Sequence, residues 1–180
     1  MKALKIIGVV LVSLILLIAI LGLVAPKEYH IERSVEIDAP KEVVFDNITS
    51  LRKIQQWSPW ADVDPDMKVT YEGEDGTVGS KSIWDGNDKV GKGEQMITGI
   101  DENGVNVQVK FIEPWEAISQ SAVKMMETEK GVNVTWSFDG TNPFPWNVLG
   151  LFMDMDNELG PDFEKGLEKT IAWYREKLTS

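Results

Sequence analysis

The side chains able to carry acid–base or ligating chemistry are few, and none stands in a spacing that completes a site. The chain has one histidine, His30, so a Ser-His-Asp arrangement would have to use it and a multi-histidine metal centre cannot be built. The lack of cysteine removes thiol nucleophiles, disulfides and thiolate zinc sites. Arg33 falls on the same alternating face as Ile31 and Val35, where an inward guanidinium would pair with a ligand carboxylate or with Glu94. Otherwise the strand end is solvated and the arginine snorkels out. Glu94 and Gln95 sit mid-strand, one inward and one outward, and a buried Glu94 would have the raised pKa that general acid or base work needs. His30 lies on a polar face, which argues against a catalytic role.

Two acidic runs resemble cation loops and fail the test of spacing. Asp62-x-Asp64-x-Asp66 places Met67 and Gly73 where a calcium loop needs glycine and a bidentate glutamate, so it reads as a solvated loop. Asp154-x-Asp156-x-Glu158 places Leu159 and Lys165 there, and its charges suit the start of a final helix. Gly91-x-Gly93 leads into another strand instead of a helix, so no phosphate cradle forms. No metal and no cofactor is expected. With 29 acidic against 18 basic side chains the net charge is −11, which disfavours nucleic acid.

Aromatic side chains are more informative. Of the seven tryptophans, Trp57, Trp60, Trp84, Trp115, Trp136 and Trp146 fall near strand ends or loops, where they could rim a pocket. Trp136, inside an apolar strand, reads first as core. The candidate lining of a ligand cavity is Arg33, Trp57, Trp60, Tyr71, Ser82, Trp84, Glu94, Trp136, Phe152 and Phe163. Phe144 to Met153 makes a second apolar surface, which reads as packing beneath the last helix, as a lid, or as a patch touching lipid.

Elements must hold these residues in place. Ile6 to Val24 is an uncharged run of 19 residues, close to the ~30 Å of a hydrocarbon core at about 1.5 Å per residue. It reads as an uncleaved transmembrane anchor over residues 1–25, since a signal peptide has a shorter apolar region and a small-x-small cleavage site. Lys2 and Lys5 favour a cytoplasmic amino terminus, hence a domain outside the cytoplasm joined through residues 26–28. Residues 29–180 read as one domain. Tyr29 to Asp38 alternates as a half-buried strand, and Pro40 opens a helix reaching Ile48. Ser50 caps a second short helix, and Trp57-Ser58-Pro59-Trp60 leaves helical geometry. Six strands follow with turn residues between them, as in an antiparallel sheet. A long helix then carries the stripe Met155, Leu159, Phe163, Leu167, Ile171, Tyr174 and Leu178, broken or bent at Gly160-Pro161.

This order, with Glu32 to Pro40, Trp57 to Trp60, Gly79 to Trp84 and Gly160 to Leu167, resembles the START-like helix-grip superfamily, also called SRPBCC or polyketide cyclase/dehydrase. The resemblance implies an α+β fold in which a curved seven-stranded antiparallel sheet grips a long C-terminal helix over a hydrophobic cavity. It also implies an apolar small-molecule ligand, with a minority of members catalysing cyclisation or dehydration. The expectation is a membrane-anchored, monomeric binding domain for a hydrophobic or lipid-like molecule. A cyclase or dehydratase, or a protein-interaction module of the co-chaperone type, are the alternatives.

Overall fold

The computed structural model describes residues 2–179, and the side chains of that span except Leu4, Trp173 and residues 175–179. Helix α1 (Lys2–Val24) exposes its apolar side chains along most of its length and meets the rest of the fold at its C-terminal end, where Gly22 is buried. It is long and apolar enough to cross a membrane, with a mean hydropathy of 3.2 over Lys5–Val24. Strand β1 (Glu28–Ile37) buries Ile31 and Ile37 and turns its glutamates outward, following the period of two in its sequence.

Helix α2 (Lys41–Ile48) starts after Pro40, and α3 (Leu51–Trp57) starts at Ser50, whose hydroxyl accepts the Lys53 N–H. Ser58 leaves helical geometry as expected, but Pro59 then seeds one more turn, α4 (Trp60–Val63). Strands β2 (Lys68–Glu72), β3 (Lys81–Asp85), β4 (Lys92–Asp101), β5 (Gly104–Glu113), β6 (Ala117–Thr128) and β7 (Gly131–Thr141) complete one sheet. Every neighbouring pair is antiparallel, in the order β1-β7-β6-β5-β4-β3-β2, so the chain's first strand closes beside its last.

A 3-10 turn, η1 (Trp146–Leu151), follows, and helix α5 (Met155–Thr179) packs across β1 and α3. Phe163, Leu167 and Tyr174 are buried on the expected stripe; the side chain of Leu178 lies outside the described residues. Of the break or bend expected at Gly160-Pro161, the break does not form: α5 runs on through Pro161. Pro161 cannot donate to the Asn157 carbonyl, and Asn157 and Pro161 are both exposed, so that carbonyl is left on the solvent side of the helix. The core lies between the concave face of the sheet and α2, α3 and α5, around Ile31, Val44, Ile48, Leu51, Val134 and Phe163.

The acidic run at Asp62 differs from the solvated loop expected. Asp64 is buried and accepts the backbone N–H groups of Asp66 and Asn87, fixing the turn between β3 and β4. Asp62 meets Lys165 and Lys169 of α5, whose hydrogen bonds hold its carboxyl below the usual carboxylate range.

Candidate functional site

Strand register assigns each candidate to a face. One row runs Val69, Trp84, Gly93, Phe111 and Ala117; the next runs Tyr71, Ser82, Gln95, Val109 and Ser119. Both share the face of buried Ile97 and Val107, the concave one. Tyr71, Trp84, Val109 and Phe111 are half-buried there, so α5 covers them incompletely. Trp84 meets Phe111 edge-on at 5.9 Å, and a Cβ at Gly93 would lie 2.3 Å from the indole. The missing side chain therefore lets the tryptophan lie across the sheet. Arg52 of α3 stands 4.1 Å above the Tyr71 ring and closes that end. Burial raises the Tyr71 pKa, so its phenol stays neutral at ordinary pH.

Toward α5 the concave face is filled by aromatic rings. Trp136 and Phe163 lie 4.2 Å apart, with Trp57 and Trp60 against Trp136 at 5.3 and 5.9 Å. The Trp57 indole N–H donates to buried Asn47, and that of Trp136 donates to Ser121. With Trp60 and Phe163 these two form a packed wall, in which the polar edges of Trp57 and Trp136 already have partners.

Two candidates are positioned against a ligand role. Glu94 shares a row with Ile83, Lys110 and Ile118 on the convex face, and its carboxylate meets Lys81 at 3.4 Å. Parity with Ile97 fixes this: Gln95 is the inward member of the pair. Arg33 is inward, opposite Trp136, yet its donors are all engaged. Nη1 and Nη2 bind the Asp156 carboxylate at 2.7 and 3.0 Å, Nε binds Glu164 at 2.8 Å, and the remaining N–H groups reach the backbone oxygens of Glu32 and Asp156. A guanidinium has five N–H donors, so none is left for a ligand carboxylate. Its hydrogen bonds to Asp156 and Glu164 raise the Arg33 pKa further and keep the Asp156 carboxyl low.

Two open grooves lie at the end of the sheet nearest α1. One, of about 470 Å³, is bounded by Pro26, Tyr29, Leu151, Phe152, Met153 and Asp156. The other, of about 370 Å³, adjoins it at Tyr29 and His30 and reaches Ser119 at the edge of the concave floor. Phe152 thus borders the first groove, away from the other candidates. Sequence reasoning missed Gln95, Val109, Phe111 and Ser119. The alternation of β4 and β5 was the signal that could have found the first three.

The arrangement offers half-buried apolar side chains and one half-buried amide, Gln95, while Ser82 and Ser119 beside it are already buried; such a lining suits an apolar body bearing one polar function. Comparisons agree on the fold. The di-domain ARO/CYC StfQ of the steffimycin biosynthetic pathway superposes with a TM-score of 0.61 at 12% identity, covering 86% of this chain and 53% of that one. Ara h 8.0201 gives 0.53 at 14% identity over 81% and 99% of the two chains. The Aha1 dimer of Colwellia psychrerythraea gives 0.54 at 15% identity over 79% and 92%. No curated protein matches the sequence. The family model described as polyketide cyclase / dehydrase and lipid transport matches residues 28–172, and with a seven-stranded antiparallel sheet closed by a long C-terminal helix the chain belongs to that family, in the helix-grip fold.

Proposed function

We propose that the domain holds a hydrophobic or lipid-like small molecule on its concave face, at a membrane that α1 spans. The observation that carries this reading is the half-buried set Tyr71, Trp84, Val109 and Phe111 on one face of the sheet, with half-buried Gln95 among them. Core residues of this size are ordinarily buried by their neighbours; here four large side chains in two adjacent rows keep surface for another molecule to cover. The family's description, which names lipid transport, supports the same chemistry. Trp57, Trp60, Trp136 and Phe163 supply the wall, and Phe152 stands at the entrance. The uncharged α1 supports a membrane location, and Lys2 and Lys5 at its start support a domain outside the cytoplasm.

Native mass spectrometry of the full chain, released from detergent after purification from cells, tests this. The expected spectrum shows one apolar molecule per chain, lost in a Val109→Trp variant whose thermal midpoint stays close to the parent's. An empty parent chain would contradict the proposal.

A further inference from the structure

Residues 140–153 carry no charge, in a chain where 26% of residues are charged. Asp139 and Asp154 bound the run on either side. Its large side chains are not folded inward: Trp146 is 64% exposed and Phe152 78%, and Phe144, Leu149, Leu151 and Met153 also stand out. An apolar patch of this kind marks a surface that meets another apolar phase.

The side of η1 that is buried says which phase. Asn147 is fully buried, and its amide donates to the Gly22 carbonyl at 2.7 Å and the Ala25 carbonyl at 3.0 Å. The last carbonyls of a helix have no partner within it, so Asn147 caps the end of α1 and fastens η1 there. This is the level at which the apolar window Lys5–Val24 ends, hence the level of the bilayer boundary if α1 spans. Trp146, with an apolar ring and one N–H, suits that boundary. The net charge of −11 gives no attraction to anionic headgroups, so contact must come from apolar insertion.

We infer that residues 144–153 form a second membrane contact, inserted into the interfacial zone of the bilayer beside α1. The groove bounded by Pro26, Leu151, Phe152 and Met153 then opens against lipid, and an apolar molecule reaches it without crossing water. This inference rests on the reading of α1 as a spanning helix.

The chain lacks cysteine, so single spin labels can be placed through Leu16→Cys, Leu149→Cys, Phe152→Cys and Val78→Cys, all at exposed side chains. Collision with oxygen and with a water-soluble nickel complex is measured in phosphatidylcholine nanodiscs. The expected pattern is a Leu16 label protected from nickel, Leu149 and Phe152 labels with reduced nickel and raised oxygen collision, and a Val78 label fully accessible to nickel. Labels at 149 and 152 as nickel-accessible as the one at 78, with the Leu16 label still protected, would overturn the docking and leave the anchor standing. Dipolar broadening between labels at 152 on two chains would replace lipid by a second copy and overturn it too. A Leu16 label open to nickel would overturn the spanning helix, and the docking with it.

Discussion

Arg33 and Asp156 form a two-pronged ion pair, Nη1 to Oδ1 at 2.7 Å and Nη2 to Oδ2 at 3.0 Å, that ties the first strand to the first turn of the last helix. The two residues are 123 positions apart in sequence. The pair fixes α5 at the end where the groove opens, because Asp156 also bounds that groove. The guanidinium lies against Gly160, whose missing side chain makes the approach possible.

Gly160→Ala tests that contact. In a helix interior alanine is ordinarily ~0.5–1 kcal/mol better than glycine. Here the added Cβ would fall 2.0 Å from Nη2 of Arg33, so the guanidinium must swing away from Asp156. The gain is expected to vanish, with a melting temperature at pH 7 at or below the parent's and an Asp156 pKa returning toward ~3.9. Asp156 titrates low when paired, so its stabilisation is present above the ordinary carboxylate range and lost as pH falls through the lowered value. The parent's advantage over the variant should therefore shrink in acid. A variant more stable than the parent at both pH values would refute the contact's role.

His30 should titrate above its ordinary ~6.5. Its Nδ1 lies 2.7 Å from Asp139, whose hydrogen bond raises the pKa against an opposing effect of burial, with the charges of Asp139 and of Glu32, at 3.7 Å, adding to the rise. The stability it contributes is full below the unfolded pKa and is lost as pH rises through the raised folded one. A proton NMR titration of the ring is expected to show the raised midpoint and to show it fall in Asp139→Asn. A midpoint at or below ~6.5 in the parent would break the assignment.

The wall and the floor of the concave face should respond differently to truncation. Phe163 is 1% exposed and enclosed by Trp60, Trp136 and Phe138, so Phe163→Ala is expected to cost ~3–5 kcal/mol in denaturant unfolding. Trp84 is half-buried, so Trp84→Ala should cost clearly less while abolishing retention of the bound molecule. Equal losses of stability would place Trp84 in the core instead.

Local pattern carried the fold well and the site poorly. Period-two alternation in Tyr29–Asp38 and Val105–Phe111, and the three- and four-residue stripe of the last helix, are dictated by a single buried face, so strands and helix were legible. The family resemblance supplied the grip of sheet on helix. Partners distant in sequence were not legible: nothing near Arg33 announces Asp156 and Glu164, and nothing near Gly22 announces Asn147. Trp57 and Trp60 read as loop aromatics because the ring of Trp136 that receives them comes from a strand far along the chain. Glu94 was left open between two faces until its parity with Ile97 was seen in the register.

Photolabelling tests the central claim most directly. The full chain in phosphatidylcholine nanodiscs is irradiated with a fatty acid bearing a diazirine on its alkyl chain, and the adducts are mapped by peptide mass spectrometry. A molecule held on the concave face predicts adducts on Tyr71, Trp84 and Phe111, diminished by excess unlabelled fatty acid. Adducts confined to α1 and residues 144–153, with none on those three side chains, would contradict it.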